Sequence, residues 1–124
     1  MIGGKPVIAM AYTLLSTAQD RGVDIRFKTP AVQLVREDDN KGRVTAVIAQ
    51  TKDGSYQKFN GRKGIILCAG DYGHDEDMLH YYIPSSDAVK INLYPSKANT
   101  GDGHKMGLWG GADIDEAPHA PMYF

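Results

Sequence analysis

This 124-residue sequence is most easily approached through what it lacks. It has a single cysteine, Cys68. An internal disulfide framework is therefore excluded, and a reducing, cytoplasmic setting is the default expectation. It has no basic excess: 14 Lys and Arg stand against 15 Asp and Glu, for a formal net charge of −1. A general nucleic-acid binder would carry a positive surplus, so no nucleic-acid partner is expected. Its longest apolar run, Gly64 to Gly70, is far too short to span a bilayer. The opening "MIGGKPVIAMAY" has no long apolar core ending in small residues, so no signal peptide is read there. No HExxH or Cys/His pairing gives metal-ligand spacing to the histidines at 74, 80, 104 and 119. No GxSxG elbow supports a Ser/His/Asp hydrolase. No internal repeat or Pro/Ser-rich linker marks a boundary, so residues 1–124 are read as one unit.

What the chain does have is glycine, 14 residues, several of them in "CAGDYG", "TGDG" and "WGGA". Glycine is used where the backbone needs a positive φ or where another group must approach closely.

The periodicity predicts a mixed α/β chain. Val7, Met10, Ala11, Leu14, Leu15 and Ala18 recur at helical spacing, with Pro6 at the start and Gly22 as a C-cap. "VDIRFK" alternates and reads as a short strand, followed by a second extended segment, "TPAVQLVRE". After the polar turn "REDDNKGR" comes a β-branched strand, "RVTAVIAQT", then a "KDG" turn and the return strand "SYQKFN". "IILCAG" is an unbroken apolar run and reads as a strand buried on both faces. Asp75, Glu76 and Asp77 open a helix whose buried face is Met78, Leu79, Tyr82 and Ile83. "PSSDAVKINLYPSKAN" reads as loop. A last helix is expected over about Gly103 to Gly110, capped by Thr100 or Asp102. The ending "DIDEAPHAPMYF" is irregular, and its apolar Met-Tyr-Phe points to an incomplete chain.

Two segments are candidates for chemistry. "IILCAGDYG" runs from a strand through a glycine turn towards a helix, a layout that also serves as an ordinary structural turn. In open α/β sheets ligands sit beyond such strand ends, where helix N-termini offer free N–H groups. "NTGDGHKM" has a similar layout. It reads either as a capped helix start or as a backbone bared for a ligand, with Asp102 accepting hydrogen bonds from ribityl or ribose hydroxyls. Tyr81, Tyr82 and Tyr94 are read as packing residues rather than ring-stacking ones.

"GKPVIAMAYTLLSTAQDRGVDIRFKTPAVQLVRE", "GRKGIILCAGDYGHDEDMLHYYIP" and "NTGDGHKMGLWGGA", in this order and spacing, resemble FAD-dependent oxidoreductases of the fumarate reductase/succinate dehydrogenase flavoprotein family. That family includes flavocytochrome c fumarate reductases, urocanate reductase and 3-ketosteroid dehydrogenases. The resemblance implies part of a Rossmann-like FAD-binding domain with an antiparallel β-meander, FAD as cofactor, and hydride exchange with an activated carbon–carbon bond. It implies that the backbone at Val32 meets the adenine, that the turn at Cys68, Ala69 and Gly70 lies near the ADP portion, and that Thr100, Gly101, Asp102 and Gly103 lie by the flavin. Asp71 stands where the family usually has a second glycine, and its carboxylate is expected to point away from pyrophosphate. Cys68 replaces a small residue and is read as a core residue. The family's strand–GxGxxG–helix unit, its substrate cap and its catalytic arginine have no counterpart here, so no catalytic residue is assigned, His119 included. The implied partner is the remainder of the flavoprotein or a second copy of the chain.

Overall fold

The computed structural model describes residues 5–38, 41–86 and 97–120. The elements are α1 (Lys5–Asp20), β1 (Ala31–Glu37), β2 (Lys41–Gln50), β3 (Tyr56–Asn60), α2 (Glu76–Tyr82), a 3-10 turn (Pro84–Ser86) and α3 (Asp102–Trp109). The class is mixed α/β, as the periodicity predicts. No described helix is long and apolar enough to cross a membrane.

The three strands form an antiparallel meander in the order β1-β2-β3. The β2–β3 hairpin is regular, from Ala46 opposite Asn60 to Gln50 opposite Tyr56. Its turn closes through Thr51 N–H donating to Ser55 O at 2.8 Å, with Gly54 at φ +85°. Asp53 holds this turn by accepting from the Thr51 and Ser55 hydroxyls, the arrangement expected of a turn aspartate. The β1–β2 pairing is less even, with register shifts at Ala31/Gln33, Val35/Arg36 and Arg36/Glu37. The last two lie where Leu34 and Arg36 turn towards α3, the helix that packs on β1.

The core is small. Leu34, Ala46, Ala49, Met78 and Met106 are the buried apolar residues among those described. Met78 is buried on α2 as predicted, with Leu79, Tyr82 and Ile83 half-buried beside it. Helix α1 ends where Gly22, at φ +77°, donates to Gln19 O at 2.9 Å. Its apolar stripe has nothing to cover it: Met10 and Leu14 are exposed, and α1 packs on no other helix or strand among the described residues.

Three expectations are corrected. Residues 23–28 form no strand. Asp24 and Arg26 pair with each other at 2.9 Å on an exposed surface, and Lys28 turns left-handed at φ +54°, which ends any extension. Residues 64–70 form no strand either, and they pair with none of the described strands. Ile66 is 88% exposed, so an apolar run alone does not make a buried strand. Cys68 is consequently exposed and not a core residue. The expected loop is described only at its ends, 84–86 and 97–99. Residues 87–96, including Tyr94, and the Met-Tyr-Phe ending lie outside the described residues.

Candidate functional site

The two glycine-containing segments, far apart in sequence, are stitched together. Gly70 adopts φ +79°, and the next residue, Asp71, folds its carboxylate back on the turn. Asp71 Oδ1 accepts from Gly73 N–H at 2.7 Å and Oδ2 accepts from Asn99 Nδ2 at 2.8 Å. The backbone adds His74 N–H to Asn99 O at 2.9 Å and Gly101 N–H to Asp71 O at 3.2 Å. The left-handed residue of this turn is thus Gly70, and the carboxylate of Asp71 is committed to its own chain.

Neither Thr100 nor Asp102 caps α3, contrary to expectation. The N-cap is Gly101, at φ +70°, with no side-chain cap, because Thr100 Oγ1 donates instead to Asp102 Oδ2 at 2.9 Å. The cap is set by close approach. A methyl on Gly101 would stand 2.5 Å from Met78 Sδ and 3.0 Å from Tyr72 Cβ. A methyl on Gly103 would stand 2.9 Å from Ala69 Cβ, and one on Gly70 would stand 2.9 Å from Asn99 Oδ1. The missing side chains at Gly70, Gly101 and Gly103 therefore let the turn and the helix start close on each other.

The closure leaves an open concavity of ≈ 310 Å³ lined by Leu67, Ala69, Gly70, Gly103 and His104. It lies beside the N-terminus of α3, where unpaired N–H groups and the helix dipole give a positive partial charge. Asp102 is exposed at this end, with acceptor capacity beyond its bond to Thr100. Ala69, Gly70, Thr100, Gly101, Asp102 and Gly103 thus come together. Val32 does not join them. It lines a second concavity of ≈ 350 Å³ with Gln33, Leu34, Met106, Trp109 and Gly110, towards the far end of α3. An eight-residue helix spans about 12 Å, so the two concavities are separate stations along one helix.

Behind the turn lies a polar and aromatic layer that sequence reasoning missed. Asp75 caps α2 by accepting from Met78 N–H at 2.8 Å and also pairs with Lys105 of α3. The Lys105 hydrogen bond and the Met78 amide hold the Asp75 carboxyl below the usual aspartate range, and the same pair holds the Lys105 ammonium above the usual lysine range. Lys105 Nζ also donates to Thr100 O at 3.2 Å, so one side chain ties the cap of α2 to the residue before Gly101. Tyr72 Oη lies 2.6 Å from His119 Nδ1, and His119 stacks on Tyr82 with ring centroids 4.6 Å apart. Burial, followed by the neighbouring Tyr82 and Asp71, pushes the Tyr72 hydroxyl up. Periodicity offers no signal for a contact between residues 47 apart, which is why the cluster was not legible. Among the described residues, no three His, Cys, Asp or Glu side chains are grouped to hold a metal ion.

Comparison with known proteins gives this geometry a context. A family profile described as an FAD binding domain matches residues 4–124. The chain is 32% identical over 107 residues to the 3-oxosteroid 1-dehydrogenase of Comamonas testosteroni, covering 86% of this chain and 18% of that protein. It is 31% identical over 105 residues to "Probable fumarate reductase Ifc3" of Shewanella frigidimarina, covering 84% and 17%. Among solved structures, the open conformation of a flavocytochrome c3 fumarate reductase superposes with a TM-score of 0.67 at 28% identity, covering 79% of this chain and 16% of that one. The chain therefore spans less than a fifth of the length of these relatives.

Proposed function

Since the chain belongs to the FAD-binding domain family of the fumarate reductase-like flavoprotein oxidoreductases, whose cofactor is FAD, we propose that it supplies the adenine-side and flavin-side contacts of a larger FAD-dependent enzyme and is catalytically inactive alone. The observation that carries this reading is the closure of Ala69 and Gly70 onto Gly103, which leaves a small-residue concavity beside a helix N-terminus.

The residues suit the cofactor. Ala69, Gly70 and Gly103 let a ligand reach backbone with little side chain in the way. The start of α3 favours a negative group through its free N–H groups. Asp102 suits a hydroxyl rather than a phosphate, which assigns the ribityl or ribose hydroxyls to it and leaves phosphate to the backbone. Asp71, turned into its own loop, removes a carboxylate that would repel pyrophosphate. Val32 would meet the adenine at its separate station through its backbone. The hydride exchange with an activated carbon–carbon bond is the cofactor's own chemistry. This chain's share is to bind and orient, because nothing in it matches the family's catalytic arginine.

Titration of the purified chain with FAD, followed by flavin fluorescence and calorimetry, tests the reading. Binding that is weakened by Asp102→Ala supports it. Binding that is indifferent to Asp102→Ala removes the assigned role of that carboxylate.

A second reading is a truncated, non-catalytic protein that self-associates or binds a partner chain. The observation favouring it is the uncovered apolar stripe of α1 together with exposed Ile66 and Leu67.

A further inference from the structure

Among the described residues that line the Gly70–Gly103 concavity, His104 is the one whose side chain carries a hydrogen-bonding group. It follows Gly103 in the first turn of α3, so Gly103, Ala69 and the imidazole lie together. Its two ring nitrogens are in different situations. Nδ1 is buried and has no hydrogen-bond partner. Nε2 is not among the buried unpartnered atoms and makes no hydrogen bond within the described chain, so it is the nitrogen open to a ligand.

The burial of Nδ1 selects the tautomer. An N–H donor buried without an acceptor is costlier than a bare acceptor lone pair in the same place. The ring packed against the imidazole is that of Tyr72, perpendicular to it with centroids 5.3 Å apart. A ring face is a weak acceptor compared with an oxygen. In its neutral form the imidazole therefore carries its proton on Nε2, the nitrogen that is left open.

We infer that His104 is a cofactor-positioning residue whose Nε2–H donates to an oxygen of bound FAD in this concavity. The inference rests on the reading of the site as an FAD site, and adds a donor where the assigned residues supply backbone and one carboxylate. A donor here complements Asp102. Asp102 accepts from hydroxyls, whereas Nε2–H suits an oxygen that accepts, such as a phosphate or carbonyl oxygen.

The test combines two measurements. Long-range ¹⁵N–¹H NMR of the free chain reads the tautomer of His104 directly, and an FAD titration to millimolar concentration follows the His104 ring with the Gly70 and Gly103 amides. The expected result is an Nε2–H tautomer, with ring and amide signals shifting together. His104→Phe is expected to weaken FAD about tenfold, the worth of one hydrogen bond of about 1.4 kcal/mol. His104→Gln, which keeps a donor near the Nε2 position, retains most of the affinity, whereas His104→Asn, with its donor near Nδ1, does not. An Nδ1–H tautomer overturns the inference without any ligand or variant. Amide shifts at Gly70 and Gly103 with an unperturbed His104 ring overturn it while leaving the FAD site standing. An absence of shifts at the ring and at both glycines overturns the inference for this chain, and it means that the remainder of a larger enzyme is needed to complete the FAD site.

Discussion

Arg36 Nη1 donates to Gly110 O at 2.8 Å, joining the irregular end of β1 to the C-terminus of α3. Its Nε donates to Gly42 O, also at 2.8 Å, so one guanidinium ties two strands to the helix that carries the site. A cation at a helix C-terminus is favourable both by the dipole and by satisfying a free carbonyl. Arg36→Leu keeps most of the packing area and removes both bonds. It is expected to lower stability by roughly 1–3 kcal/mol, read by urea unfolding. Arg36→Lys should recover only part, because one ammonium does not reproduce the planar fork.

The glycines of the site separate two costs. Gly103→Ala fails by collision with the methyl of Ala69, a fixed group with no rotamer to escape into. Ala69→Gly should therefore rescue Gly103→Ala. Gly101→Ala fails for a second reason, since φ +70° strains any residue with a Cβ, by about 1–2 kcal/mol. Met78→Ala would relieve only its collision. Thermal unfolding of the two single and two double variants checks this, and equal rescue in both pairs would contradict it.

Asp75 and Lys105 give the fold its pH dependence at the site. Asp75 is depressed when folded by the Lys105 hydrogen bond and then the Met78 amide. Its contribution is present above the unfolded aspartate pKa and is lost as pH falls through the lower folded value. Lys105 is raised when folded, mainly by the Asp75 hydrogen bond. Its contribution is full below the unfolded lysine pKa and is lost as pH rises through the higher folded value. Asp75→Asn keeps an N-cap acceptor and should flatten the acid limb below about pH 4. Asp75→Ala loses the cap as well, for about a further 1 kcal/mol. Denaturant midpoints from pH 3 to 7 distinguish the two.

Much of this architecture was legible in the sequence because it is local. The meander follows from β-branched runs around "KDG", and Met78 is buried where the α2 period places it. The error at "IILCAG" has a physical cause. An apolar run reports a preference for burial, but burial needs a covering surface, and Ile66 is left exposed. The site was half legible. Gly70, Gly101 and Gly103 announce close approach, but not that Asn99, Tyr72, Met78 and Ala69 make it. His104 and His119 carry no spacing signal, since their partners come from other segments.

The Tyr72–His119 contact predicts the behaviour of the irregular tail. His119 N–H donates to Tyr82 O at 2.6 Å and its ring sits between Tyr72 Oη and Asp115 O, so this residue ties the described part of the tail to α2. Tyr72→Phe keeps the ring packing and removes the hydroxyl. It should cost about 1 kcal/mol and raise protease cleavage between Asp113 and His119, with the far-ultraviolet spectrum unchanged. Unchanged cleavage would mean that the stacked Tyr82 ring and the backbone bond suffice.

The uncovered surfaces predict association. Leu14 of α1 is 63% exposed and Ile66 is 88% exposed, with Met10 and Leu67 as exposed neighbours in their segments. Each exposed aliphatic forgoes roughly 1.5–3 kcal/mol of burial, so a contact covering both segments is strongly favoured. Either remedy, the remaining part of a larger enzyme or a second copy, serves that end, and in the purified chain only the second is available. The chain is therefore expected to sediment as a dimer or larger species at micromolar concentration. Leu14→Lys and Ile66→Lys together should shift it towards monomer. Neither substitution disturbs a described internal contact, so the meander should remain folded by circular dichroism. A chain that sediments as a monomer at all concentrations would remove the self-associating reading and leave the larger-enzyme reading alone.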